Sequence, residues 1–314
     1  MKGKTAGYAL GAIAAATYGM NPTFALPLYA DGMNPDSVLL LRYGLALPII
    51  AAMTLLRGRS LKVPLRSIPA LALIGLLIAF SSLTLFFSYN YMAAGIASTI
   101  LFVYPVLVAV IMALFFKEKI TLHTVLCLVL ASAGILMLYN TAPGETLSLR
   151  GTLIVLASSF TYAFYLICVN QKSLAGIATL TVTFHMLIFG CMVFGGRILL
   201  GMADFVLPSR PGLWLNILAL SVLPTIVSFA CTTRAIQLVG STPTAILGAL
   251  EPLTAVILGI ILFDEGMTAR EAVGIVMILV AVTFVILRGS KLNTGIVKHL
   301  TRFRHMFPKL HRHS

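Results

Sequence analysis

Apolar residues fall along the chain in long blocks, separated by short breaks that hold most of the charges and many of the prolines and glycines. A helix needs about 20 apolar residues to cross the hydrocarbon core of a bilayer, and ten blocks are near that length. They run from Thr5 to Pro27, Pro35 to Leu56, Pro69 to Met92, Ala97 to Phe116, Leu122 to Leu138, Gly151 to Asn170, Ile177 to Leu200, Leu213 to Ile236, Thr242 to Phe263 and Thr268 to Leu287. The pattern predicts an all-α integral membrane protein with ten transmembrane helices and no room for a soluble domain between them. The first block, with Lys2 and Lys4 before it and small residues at Ala14 to Ala16, has features of a cleaved signal peptide. It continues past Ala16 and has a counterpart later in the chain, so it is read as a span.

Composition gives the same answer. Of 314 residues 59% are hydrophobic and 10% charged, with a mean hydropathy of +1.02. A soluble protein carries roughly a quarter of its residues charged, so this surface must face lipid. Lys and Arg number 22 against 9 Asp and Glu, a formal net charge of +13. That excess sorts by loop. With the N-terminus inside, 17 Lys and Arg fall on the cytoplasmic side and four, Arg150, Arg197, Arg210 and Arg270, outside, which by the positive-inside rule places both termini in the cytoplasm of a cell inner membrane. Nucleic acid is not an expected partner. The four cysteines, Cys127, Cys168, Cys191 and Cys231, lie singly in four spans. They indicate no disulfide framework and no metal site, and no cofactor is expected.

The two halves of the chain resemble each other. An offset of 147 places Tyr104-Pro105 on Glu251-Pro252, and Phe116, Glu118 and Thr121 on Phe263, Glu265 and Thr268. Five spans per unit is an odd number, so the second unit enters the membrane from the opposite side. The expected organisation is residues 1–140 as the first five-helix repeat, 141–288 as the second, inverted one, and 289–314 as a basic cytoplasmic tail. Inverted repeats commonly build secondary transporters with a site near the midplane.

Ten spans in a five-plus-five duplication, Arg42 inside the second span, the Pro-to-Glu spacing of spans four and nine, and the stretch Ala97-Ser98-Thr99-Ile100-Leu101-Phe102-Val103-Tyr104-Pro105 resemble the EamA-type members of the drug/metabolite transporter superfamily. The first-half signature is similar to that of metabolite and aromatic amino acid exporters. The resemblance implies alternating access and export of a small metabolite. Two residues depart from the family pattern: Tyr18 stands where many members carry Trp, and His185 lies near the position corresponding to Arg42.

Arg42 and Glu251 are the charged residues well inside spans, and an ionisable group at that depth is a functional candidate by default. Arg42 has two readings, a carboxylate-binding group or a structural and coupling residue; the resemblance, which gives its counterpart a role common to many substrates, favours the second. Glu251 precedes Pro252, which is expected to free the Gly248 carbonyl and kink span nine. It could hold a substrate ammonium or serve the backbone. Pro105 and Pro252 are assigned structural or coupling roles. Ser81, Thr84, Ser88 and Tyr91 in span three, where Tyr89 and Asn90 add to the polar cluster, and Thr225, Ser228 and Thr232 in span eight, form polar stripes at helical spacing that are expected to line a cavity; interhelical contact is the alternative. Asn21-Pro22 is expected to interrupt span one and expose carbonyls. Of the tyrosines, Tyr104 and Tyr162 lie deepest. The substrate-binding set is thus Asn21, Ser88, Tyr89, Asn90, Tyr104, Tyr162, Ser228, Thr232 and Glu251. His185 is expected to be a packing residue.

Gly7-x-x-x-Gly11 and Gly190 to Gly196 allow close helix approach, within the bundle or across a homodimer. The tail from Arg288 reads as an amphipathic segment on the anionic inner leaflet. No phosphate-binding loop and no catalytic motif is present. A secondary transporter of an amino acid or related zwitterionic or aromatic metabolite is therefore expected, ahead of a multidrug or quaternary-ammonium exporter of the same fold and of an integral-membrane enzyme.

Overall fold

The computed structural model describes residues 2–92, 94–138, 148–170, 174–263, 268–270 and 272–287. Every regular element among them is helical: α1 (Lys2–Tyr18), α2 (Asn21–Ala30), α3 (Pro35–Leu56), α4 (Ile68–Ser88), α5 (Ala94–Leu101), α6 (Tyr104–Phe116), α7 (Leu122–Leu138), α8 (Leu149–Cys168), α9 (Thr179–Leu199), α10 (Leu213–Ser221), α11 (Ser228–Val239), α12 (Ser241–Leu247), α13 (Leu250–Phe263) and α14 (Ala272–Leu287). A 3-10 turn (Leu65–Ser67) leads into α4, and a π-helical segment (Val222–Val227) joins α10 to α11. Among the described residues seven helices are long and apolar enough to cross a membrane, with Leu122–Met137 and Ala272–Leu287 as shorter apolar ones. The basic tail lies outside the described residues, as do Lys172, Glu145, Asp264 and Glu265.

Local chemistry sets the helix ends. Asn34 caps α3 by accepting the Ser37 N–H at 2.9 Å, with Pro35 in the first turn. Ser148 caps α8 through the Gly151 N–H. Lys117 closes α6 in the left-handed region, its N–H reaching the Met112 carbonyl.

Three interruptions matter for function: Gly19-Met20 between α1 and α2, Phe102-Val103 between α5 and α6, and Gly248-Ala249 between α12 and α13. Each precedes a helix that carries Pro in its first turn (Pro22, Pro105 and Pro252). The expectation for Pro252 is corrected here. A first-turn proline needs no backbone donor, so it starts a helix rather than kinking one, and the Gly248 carbonyl is taken by the Glu251 N–H at 2.9 Å. The discontinuity in span one likewise falls before Asn21-Pro22 and not at it.

The most extensive helix contacts, α1 with α11, α4 with α8 and α3 with α9, all join the first half of the chain to the second. Gly7 lies against Leu238 and Val239, Gly11 against Ala235 and Leu247, and Gly190 against the Tyr43 ring, so these glycines serve approaches within the chain. Gly196 has open space around it. Outward, Leu122, Val125, Leu126 and Val129 on α7 and Val273, Val276, Val280 and Phe284 on α14 form exposed apolar stripes at helical spacing. Apolar faces of this extent suit lipid.

Candidate substrate site at the helix interruptions

Arg42 is completely enclosed. Its Nε donates to Thr225 Oγ1, one terminal nitrogen donates to Asn21 Oδ1 at 2.8 Å, and the other donates to the Pro224 carbonyl at 2.9 Å. The guanidinium also lies 5.5 to 5.9 Å from the ring centres of Phe86, Tyr43 and Phe229, within cation–π range. The π-helical segment explains two of these partners. Pro224 has no N–H to offer the Leu220 carbonyl, and the Thr225 hydroxyl supplies that hydrogen instead at 2.7 Å while its oxygen accepts from Arg42.

Glu251, in the first turn of α13, is 7% exposed. Tyr104, the first residue of α6, donates its hydroxyl to Glu251 Oε1 at 3.1 Å. That hydroxyl sits where a side chain on Gly248 would be, and the Glu251 carbonyl sits where one on Gly19 would be. Glycine at both places lets the interruptions of spans one, four and nine meet. Since Asn21 is two residues beyond Gly19, the Arg42 cluster and the Glu251 backbone are joined through about 7 Å of chain.

Around them lies a tyrosine cluster. Tyr162 stacks on Tyr18 (ring centres 5.8 Å apart, 11° between planes) and on Tyr165 (5.7 Å, 22°), and meets Tyr104 edge-on at 4.7 Å. Tyr18 and Tyr89 are each within electrostatic reach of both Arg42 and Glu251. The structure thus brings together Asn21, Arg42, Tyr89, Tyr104, Tyr162 and Glu251.

The other expected site residues lie differently. Asn90 is exposed in the turn after α4. Ser88 is buried and donates to the Leu85 carbonyl of its own helix at 2.6 Å. Ser228 donates to the Ala14 carbonyl of α1 at 2.9 Å, and Thr232 is buried one turn further along α11. Ser81 and Ser158 clasp α4 to α8 through reciprocal hydroxyl bonds, and Thr84 bonds back to Phe80 and Ser81. Ser81 and Ser228 thus join helices, Thr84 and Ser88 bond back to their own helix, and Thr225 is the member that reaches the buried cation. His185 Nδ1 bonds the Thr181 carbonyl at 2.9 Å. Sequence reasoning passed over Tyr43, Phe86 and Phe229, and it left Tyr18 outside the binding set.

The model of the EamA-like transporter family matches residues 5–140 and 149–287. The chain belongs to this family. It is also similar to the uncharacterized transporter YdfC of Bacillus subtilis (strain 168), with 25% identity over 285 residues, covering 87% of this chain and 89% of that protein. A solved crystal structure shares the fold, with a TM-score of 0.77 and 17% identity over 91% of this chain and 98% of that one. As an EamA-like transporter the chain is a multi-pass membrane protein.

The two ends of this EamA-like bundle differ. At one, Asp36 accepts from Arg197 at 2.6 Å, Asn34 and Ser37 both donate to the Asp204 carbonyl, and Asp31 accepts from the Ser209 N–H and hydroxyl. Residues 204–209 are thereby strapped across the start of α3. At the other end a cavity of about 860 Å³ is lined by Arg57, Arg59, Asn170, Thr179, Arg234 and Gln237 among others. Arg57 is fifteen residues beyond Arg42, about 22 Å along α3, so this cavity is separate from the buried cluster.

Proposed function

We propose that the chain is a secondary transporter of two inverted five-helix repeats, residues 1–140 and 141–288, that exports a small zwitterionic metabolite, an amino acid or a related aromatic compound, across the inner membrane by alternating access. The observation that carries this reading is the Tyr104–Glu251 contact. It joins two positions related by the 147-residue offset, at the crossing where α6 packs on α12 and α5 on α13. In a two-fold arrangement a position touches its own counterpart only at the axis, and inverted repeats keep their sites there.

Other contacts support the same symmetry. The α1–α11 pairing of spans one and eight is matched by the α4–α8 pairing of spans three and six, and spans two and seven meet through α3 and α9. Family matches in both stretches of the chain agree with a duplication. Arg57, Arg59 and Arg234 gather at one end and Asp31, Asp36 and Asp204 at the other, which supports placing the arginine end in the cytoplasm. The buried carboxylate offers a partner for a substrate ammonium and the tyrosines offer flat apolar walls.

The test is exchange of radiolabelled amino acids by the full-length protein in liposomes. Uptake that depends on unlabelled amino acid inside the vesicles, and that falls in Glu251→Gln and Tyr104→Ala, supports the reading. Transport of quaternary ammonium dyes with no amino acid exchange would replace it by the multidrug exporter.

A further inference from the structure

We infer that Asn21 and Arg42 form the carboxylate pole of the substrate site, opposite an ammonium pole at Glu251. This rests on the transporter reading and names which end of the substrate each group takes. Arg42 uses three of the five donors of a guanidinium on Thr225, Asn21 and Pro224, none of which carries charge. The ion pairs found among the described residues are Arg197–Asp36 and Arg210–Asp31. An enclosed cation without a counter-ion is strongly unfavourable, and the three aromatic faces offset only part of that.

Asn21 supplies a second and independent sign. Because Oδ1 faces the Arg42 donor, the amide nitrogen is the other terminus, and Nδ2 is buried without a hydrogen-bond partner. Buried donors are nearly always paired. A free donor beside an uncompensated cation calls for an anionic acceptor. Two residues earlier in the chain, Gly19 packs against the backbone of Glu251, whose carboxylate receives the neutral Tyr104 hydroxyl. A cation and an acidic side chain, neither in an ion pair, thus flank one helix interruption. A molecule bearing both carboxylate and ammonium neutralises the two together, whereas an amine or an acid leaves one uncompensated. Tyr18, within electrostatic reach of both and stacked on Tyr162, provides an apolar wall for the side chain of an α-amino acid.

The experiment is ligand-induced thermal stabilisation and calorimetric titration of the full-length protein in detergent with L-phenylalanine, phenethylamine and 3-phenylpropionate. The wild type is expected to bind L-phenylalanine at least about tenfold more tightly than either single-charge analogue, the scale of one hydrogen bond to a charged group. Asn21→Ala should reduce the preference over phenethylamine. Asn21→Asp, which gives Arg42 a carboxylate from the protein itself and so guards against misfolding, should lose L-phenylalanine binding and keep phenethylamine. Equal affinity of the wild type for L-phenylalanine and phenethylamine, or an unchanged ratio in both Asn21 variants, overturns the carboxylate pole while leaving amino acid exchange in liposomes intact. Absence of that exchange overturns the amino acid reading and the pole with it.

Discussion

Tyr104 donates a hydrogen bond to Glu251 across 147 residues of sequence, and its hydroxyl rests directly over the Cα of Gly248. The contact therefore requires both a bare backbone at 248 and the interruption between α12 and α13. A methyl group at 248 would overlap the hydroxyl and the ring carbon that carries it.

Gly248→Ala is accordingly expected to destabilise the protein by about 1–3 kcal/mol, the usual range for overpacking, and to reduce amino acid exchange. Adding Tyr104→Phe to Gly248→Ala should recover part of the stability and none of the exchange. Gly196→Ala, with open space around it, should change stability by no more than about 0.5 kcal/mol. Thermal unfolding in detergent reads all three.

Thr225 is the joint between Arg42 and the π-helical segment, accepting from one and donating to the Leu220 carbonyl of the other. Thr225→Val keeps the shape and strands both groups, each at about 1–3 kcal/mol. Thr225→Ser keeps both bonds and should unfold close to the wild-type temperature. Equal losses in the two variants would show that the methyl group, and not the hydroxyl, matters.

Asp36 is 1% exposed beneath Arg197. Removing one partner of a buried pair leaves an uncompensated charge and typically costs about 3–5 kcal/mol, whereas replacing both is often near neutral; the 24% exposure of Arg197 places the loss at the low end. Arg197→Gln should therefore be less stable than the double variant Asp36→Asn/Arg197→Gln. A double variant as unstable as the single one would contradict this account.

The two bonds from Ser209 hold the Asp31 carboxyl below its ordinary value, with Arg210 adding a smaller effect in the same direction. A lowered carboxyl favours the ionised form in the folded protein, so its contribution is complete above the unfolded value of about 3.9 and is lost as pH falls through the folded one. Hydrogen exchange of residues 204–209 should rise at pH below about 4, more steeply than elsewhere in the bundle. In Asp31→Asn that acid-dependent step should be absent.

Much of this arrangement could be read from the chain before folding. Charge alone singled out Arg42 and Glu251, because a charged side chain at that depth needs a reason, and the 147-residue offset aligned Tyr104 with Glu251. The Asn21 role was harder to see. Its partner is twenty-one residues away on another helix, and nothing local to Asn21-Pro22 distinguishes a side-chain acceptor from a helix start. The proline positions misled for a related reason: proline marks the first turn after an interruption, so each break falls just before it. The serine and threonine stripes were ambiguous because one spacing serves a cavity wall and a helix contact equally well. Only the bonds from Ser81 to Ser158 and from Ser228 to Ala14 separate the two.

The pairing of α1 with α11 bears on how the protein is made. Ser228 reaches the Ala14 carbonyl across 214 residues, and Gly7 and Gly11 face residues 235–247. α1 thus leaves the ribosome some 214 residues ahead of the contact that holds it. Throughout synthesis of the intervening spans, its bare glycine face must wait against lipid or against provisional neighbours. A chain halted shortly before residue 228 would therefore hold α1 to α10 in the bilayer while still lacking the contact that gives α1 a fixed place.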